Sequence, residues 1–345
     1  MNKIARWVAL LAVLCGLAGC AAPAAQSQSG GLQRYEATFL TLFDTVTTVM
    51  GYAESEDDFR AQAQAVHDDL LVYHQLFDIY NDYDGVNNLK TVNDNAGIAP
   101  VQVEQPILDL LTFCQELYES TGGRVNVAMG SVLSLWHDAR EAAVNDPDTD
   151  PPPDMSALEE AAQHTDLSQV VIDEEASTVY LPDKDMSLDV GAVAKGWAVE
   201  QVCRTAPEGL LLSVGGNVRA TGPKPGGEDW GAGIQNPDGG EYLHTVYVRD
   251  VSVVTSGDYQ RYFTVDGVRY HHIIDPDTLY PATYWRSVTI LCADSGLADA
   301  LSTALFTLSQ EDGQALLDRY GAQALWVDRD GTLHESPGFG DYIRT

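Results

Sequence analysis

Basic residues are scarce: 19 Lys and Arg stand against 51 Asp and Glu in 345 residues, a formal net charge of −32. A surface this acidic repels phosphate backbones, which excludes nucleic acid as a partner. Any polyphosphate ligand then needs local help from a metal ion, from backbone N–H groups or from a well-placed Lys. Cysteine is sparse too. Cys114, Cys203 and Cys292 stand far apart in apolar stretches, a spacing that makes neither a disulfide framework nor a zinc site, and they read as buried and inert. No internal repeat is present. The signatures G-x-G-x-x-G between strand and helix, the Walker loop, H-E-x-x-H and G-x-S-x-G are missing as well. What remains is a body with 45% apolar residues, enough for a filled core.

The N-terminus carries an address. Lys3 and Arg6 precede an apolar run from Trp7 to Leu17 that ends in Leu-Ala-Gly-Cys at Cys20. A basic start, a short apolar stretch and small residues before a cut describe a secretory signal, and the run is too short for a permanent membrane helix. Cys20 after Leu-Ala-Gly resembles a bacterial lipobox, in which the Cys is lipidated and becomes the mature N-terminus; an ordinary signal with an incidental Cys is the alternative. Residues 21–31 are small and polar, as a tether is. The expected organisation is a signal over 1–19, a tether over 20–31 and one catalytic domain over 32–345, held outside the cytoplasm at the cell membrane by lipid.

Within the body, residues 56–80 and 105–120 show helical periodicity, with Leu110, Leu111, Cys114, Leu117 and Tyr118 on one face and Pro106 in the first turn. The run Asn145 to Asp154, rich in Pro and Asp, reads as a surface excursion. Beyond it strands are expected at 168–181, 210–218, 244–255, 260–265 and 268–274, with helices near 191–205 and 294–309. Asp266-Gly267 between the last two strands is a hairpin signal. Antiparallel hairpins with unevenly placed helices predict an α+β fold in a single mixed domain.

Four blocks carry chemistry. In SLDVGAVAKGWAVEQV (187–202), Asp189 ends a strand, Gly191 permits an unusual backbone angle and a helix follows, with Lys195 one turn in; this suits an anion, or is merely a capped helix. In LADALSTAL (297–305), Asp299 and Thr303 share a helix face and offer the hard oxygens that magnesium accepts, unless Thr303 only bonds back to its own helix. The segment from Val254 to Pro276 gathers Thr255, Ser256, Asp258, Tyr259, Arg261, His271, His272 and Asp275. Strand alternation sends His272 and Ile274 to one side, His271 and Ile273 to the other, so one imidazole is a candidate base and its neighbour a core residue. In LLSVGGNVRATG (211–222), the glycines allow a close backbone approach, or simply make turns.

The order of these blocks is distinctive. FDTVTT (43–48), FDIYND (77–82), NDNAG (93–97), TGGRVNVAMGSVLSLW (121–136), LDVGAVAKG, SVGGN, TSGDYQRYF, HIIDP and ADALSTAL resemble, in order, the motifs of the bacterial FAD:protein FMN transferases, the ApbE-type flavin transferases. The resemblance runs from about Phe39 to Leu308.

The resemblance implies magnesium-dependent transfer of FMN from FAD to a Thr or Ser hydroxyl of an acceptor protein on a membrane, with release of AMP. An FAD pyrophosphatase and an anchored flavin binder without catalysis are the neighbouring possibilities. By similarity, Phe43, Tyr80, Arg124, Val125 and Asn126 line the ends of the FAD, Asp189, Lys195 and Ile274 contact it, and magnesium is held by the Ala192 carbonyl, Asp299 and Thr303. His272, supported by Asp275, is the expected proton acceptor. Three departures stand out. Leu279 occupies the family's Gly position in D-P-x-T-G-Y-P, so that turn is expected to differ, since Leu tolerates positive φ poorly. Arg124 and Asn126 replace a small residue and Asp. His271 places a second imidazole beside His272.

Overall fold

The computed structural model describes residues 31–145 and 152–344. The signal, Cys20 and most of the tether, and residues 146–151 of the Pro-rich excursion, lie outside the described residues. Strands β1 (Gln33–Leu42) and β2 (Thr45–Ala53) pair first and lead into helix α1 (Glu56–Phe77). Ser55 caps α1 by accepting from the Asp58 N–H, and Asp78 ends it in extended backbone. Helix α2 (Leu89–Asp94), strand β3 (Val101–Gln102) and helices α3 (Gln105–Ser120), α4 (Gly130–Asn145) and α5 (Met155–Ala161) follow. Helix α3 has the expected limits and buries Leu110, Leu111, Cys114 and Leu117, with its Pro in the first turn.

Several expected strands divide. The stretch 168–181 holds two short strands, β4 (Val171–Asp173) and β5 (Thr178–Tyr180), before helix α6 (Ala194–Thr205). The stretch 210–218 is a hairpin, β6 (Leu211–Val214) and β7 (Asn217–Ala220), because Gly215 and Gly216 both take positive φ, 53° and 96°, the turn that matches strand twist. After hairpin β8 (Trp230–Ile234) and β9 (His244–Val248), strand β10 (Ser252–Gly257) begins beyond a break at 249–251. Hairpin β11 (Tyr262–Val265) and β12 (Val268–His271) turns at Asp266-Gly267, φ 50° and 79°, as read from the sequence. Strand β13 (Trp285–Cys292), helices α7 (Ser295–Phe306) and α8 (Gln310–Tyr320), and strands β14 (Gln323–Asp328) and β15 (Leu333–Glu335) complete the chain.

The main sheet has eight strands in the order β1-β2-β6-β7-β10-β13-β14-β15, so neighbours in space follow one another in sequence. Every neighbouring pair is antiparallel. The fold is thus an antiparallel meander whose connections carry the helices, the α+β class expected. Its central strands are buried on both faces. Leu212, Val254, Ile290 and Trp326 enter the core shared with the helices, while Leu211, Val253, Leu291 and Leu325 enter a second core under β8 and β9. Alternation of period two assigns each residue its face, and burial on both sides explains why these strands read as unbroken apolar runs.

Candidate active site at the contact of two helices

Helices α6 and α7 cross closely because Gly196 has no side chain. A Cβ there would fall 2.3 Å from the Ser295 carbonyl oxygen and 2.5 Å from the Asp299 Cβ. This approach brings the buried Asp299 carboxylate to the start of α6. Its Oδ2 accepts from the Gly196 N–H at 2.9 Å and from Asn217 Nδ2 at 3.0 Å, with Lys195 Nζ 3.6 Å away. The Gly196 N–H would ordinarily close a helical turn on the Ala192 carbonyl. Turned instead to Asp299, it leaves that carbonyl without a backbone donor among the described residues. One turn along α7, Thr303 lies on the same face. Its hydroxyl has no hydrogen bond to the described residues, whereas its neighbour Ser302 bonds back to the Asp299 carbonyl at 2.8 Å and meets Ser256 at 2.7 Å. Among the described residues, no hydrogen bond reaches Asp299 Oδ1. A carboxylate oxygen, a carbonyl and a hydroxyl, all uncommitted, fit a hard divalent cation in their chemistry.

Asp189 sits beside this group. Its N–H donates to the Val127 carbonyl at 2.7 Å, and its Oδ1 accepts from the Gly191 N–H at 2.9 Å. Burial pushes its carboxyl up from the usual carboxylate range, opposed by that N–H and by the charges of His137, Lys195 and Arg261. Lys195 itself donates to the Gly191 carbonyl at 3.1 Å. Tyr80 stacks on His137, centroids 5.2 Å apart, with more than half its surface exposed. Desolvation about its hydroxyl, and then Asp189, push that group up to about 12. The charges of Lys195 and Arg261 are felt at Asp189, and those of Arg140 and Arg261 at Tyr80.

The two histidines separate cleanly. His271 is buried, with Nε2 2.9 Å from the Ala282 carbonyl and Nδ1 accepting from the Ile273 N–H at 3.2 Å. Both nitrogens are engaged, Nε2 carries the hydrogen, and burial lowers the affinity for a second proton. His272 is exposed. Its backbone N–H donates to the Arg261 carbonyl at 3.1 Å, and Nδ1 lies 3.2 Å from the same oxygen, so Nδ1 carries the hydrogen and Nε2 keeps a lone pair. Crowding of the ring by protein, and then the Arg261 charge, hold its pKa well below the ordinary imidazole value although the residue still meets solvent. It is a neutral imidazole.

Other expected residues are engaged within the protein. Asp275 does not meet His272. It is buried, bonded at 3.1 Å to Arg124, whose other arm holds Asp277, and it accepts from the Asp277 N–H. Arg124 and Asp275 thereby brace a turn rather than present free groups. Asn126 is likewise engaged, donating to the Thr165 carbonyl and accepting from the Ala128 N–H. Val125 is buried in the main core. Ile274 is buried with Met129, Trp136, Phe263 and Leu279. Phe43 takes a positive φ of 51° and sets its ring edge-on to His74. Leu279 adopts φ 59°, so the turn keeps the glycine-type conformation instead of differing. Its buried side chain, and its carbonyl accepting from Trp136 Nε1 at 2.9 Å, offset the strain.

Two open depressions lie elsewhere. One of about 350 Å³ is lined by Phe113, Trp197 and Arg204, another of about 510 Å³ by Ser131, His164 and Lys184. Asn217, Gly196, His137 and Arg140 joined the site without a role foreseen from the sequence. An amide directly after Gly215-Gly216, at the head of β7, is the available signal for Asn217.

The ApbE family model matches residues 43–326. The chain is 39% identical over 278 residues to an FAD:protein FMN transferase of Treponema pallidum (strain Nichols), covering 74% of this chain and 75% of that protein. Its likeness to one from Vibrio cholerae serotype O1 is 29% over 344 residues, covering 97% and 96%. Among solved structures, the ApbE protein of Thermotoga maritima superposes with a TM-score of 0.80 at 31% identity, covering 91% of this chain and all of that one. The flavin transferase ApbE from Vibrio cholerae gives 0.75 at 23% identity, with 91% and 100% covered, a likeness of fold.

Proposed function

The chain belongs to the ApbE family, and from that premise and the geometry around Asp299 we propose how it works as an FAD:protein FMN transferase. The reading is that FMN passes from FAD to a Thr or Ser hydroxyl of a membrane-associated acceptor protein. The acceptor oxygen forms a bond to the FMN phosphorus, the bond from that phosphorus to the bridging oxygen breaks, and AMP departs with the electron pair. The hydroxyl proton passes to His272 Nε2, the lone-pair nitrogen of an imidazole whose tautomer Arg261 fixes. Asp299, the Ala192 carbonyl and Thr303 would hold magnesium, which when bound supplies positive charge against the diphosphate. Lys195 adds a second cation beside them, and Tyr80 offers a ring face with its hydroxyl kept protonated. Phe43, Asp189 and Ile274 are further proposed FAD contacts, whereas Arg124, Val125 and Asn126 would act through the backbone and turn they support. Lipid on Cys20 would hold the enzyme at the outer face of the cell membrane, near its acceptor.

The observation that carries this reading is the diversion of the Gly196 N–H to Asp299, which leaves the Ala192 carbonyl without a backbone donor among the described residues. Mass spectrometry of candidate membrane redox proteins co-expressed with the chain tests it. One acceptor Thr or Ser gains the mass of FMN less water, and Asp299→Ala abolishes the gain. Rapid release of FMN and AMP that no acceptor diverts would instead identify a pyrophosphatase.

A further inference from the structure

Arg261 precedes β11 at the base of its hairpin, and so far only its backbone has a task. Its side chain is anomalous for this molecule. Among the described residues, every other Lys and Arg has a carboxylate, a hydrogen-bond acceptor or an aromatic ring against its charged group. Most are ion-paired. Of the others, Arg140 donates to His137, Arg319 to the Ser120 carbonyl, and Lys224 lies 5.4 Å from the Trp230 ring centre. The Arg261 guanidinium has no such partner. The residue is exposed, so its guanidinium is open to a ligand. It stands at the candidate site: the same residue's carbonyl accepts from the His272 backbone N–H and faces Nδ1, and its charge is felt at Asp189, Tyr80 and His272.

We propose that Arg261 binds the phosphate being transferred, its planar guanidinium fork taking two oxygens of the phosphate that bears the flavin. The proposal rests on the transferase reading above. His272 must reach the acceptor hydroxyl that attacks this phosphorus, and Arg261 is joined directly to His272, so its side chain is tethered to the right place. Phosphoryl transfer spreads charge over the equatorial oxygens of the phosphorus, and arginine matches two such oxygens at once where lysine meets only one. The positive charge is then divided. Lys195 stands with Asp299, and Arg261 with His272.

Fluorescence titration of the full chain with FAD and with riboflavin, in EDTA, tests this with wild type, Arg261→Gln and Arg261→Lys. Riboflavin keeps the ring and lacks the phosphates. Arg261→Gln should weaken FAD at least about tenfold, a charge-assisted bidentate contact, and leave riboflavin within about twofold; Arg261→Lys should recover part of the loss. Melting temperature should not move, because the guanidinium has no protein partner to lose. FAD binding unchanged in Arg261→Gln would overturn the proposal, as would an equal loss for riboflavin, which would mark a contact to the ring. Weaker binding of the acceptor protein with FAD unaffected would also overturn it and assign Arg261 to the acceptor. If FAD discrimination depends on Arg261 but wild type labels no acceptor, the phosphate contact stands and the transferase reading fails.

Discussion

At the scale of single residues, adjacent histidines have opposite fates because a strand sends neighbours to opposite sides. His271 spends both nitrogens on backbone groups, while His272 keeps Nε2 open. His272→Ala should therefore fold and bind FAD, yet transfer FMN about 10²- to 10⁴-fold more slowly, the range of general-base contributions; single-turnover assays with saturating FAD measure this. Both imidazoles hold protons less readily than in an unfolded chain, whose histidines titrate near 6.5. Their contribution to stability is present above that pH and is lost as pH falls through and below it. Denaturant unfolding at pH 8 and pH 5 should show this decline, with a smaller decline in His271→Gln. Leu279 gives a second test. Leu279→Ala keeps the positive φ and loses a buried side chain, at a cost of about 2–3 kcal/mol. Leu279→Gly relieves the backbone and should unfold at a temperature no lower than the Ala variant.

At the scale of elements, the site exists because two helices approach at a glycine. Gly196→Ala would drive a methyl into the Ser295 carbonyl and Asp299. It should cost about 3 kcal/mol or more, as overpacking does in a rigid interface, and reduce transfer with it; calorimetry and labelling assays together check this. The sequence made α3 legible because Pro106 and a single apolar stripe agree. It also marked both β11 and β12, since Asp-Gly specifies their turn. It concealed the β6–β7 hairpin, where Gly215-Gly216 sits inside a continuous apolar run and the hydrophobic pattern does not break. Asp299 and Thr303 were legible as a pair on one helix face. The freed Ala192 carbonyl was not, because it depends on a hydrogen bond between residues 103 positions apart. Likewise, the pairing of Asp275 with Arg124 joins segments about 150 residues apart, and no local spacing announces it.

At the scale of the whole molecule, an eight-stranded meander supplies a rigid base and its connections supply the chemistry. Lys195 lies on α6 between β2 and β6, His272 follows the hairpin between β10 and β13, and Asp299 lies on α7 between β13 and β14. The net charge of −32 is unfavourable for a dinucleotide, and the proposed site offsets it with Lys195, Arg140, Arg261 and the three oxygens proposed to hold a cation. Without a divalent ion, FAD should bind more weakly as ionic strength falls, because screening of the acidic surface is lost; titrations in EDTA at low and high salt follow this.

Asp299, the Ala192 carbonyl and Thr303 are proposed to hold the divalent cation that FAD turnover requires. Titration of magnesium into the protein with FAD present, followed by calorimetry and by acceptor labelling in the same samples, tests it most directly. Wild type should show saturable metal binding that tracks labelling, Thr303→Val should weaken both, and Asp299→Ala should abolish both. Metal binding and labelling that persist unchanged in Asp299→Ala would mean that these three oxygens do not hold the ion.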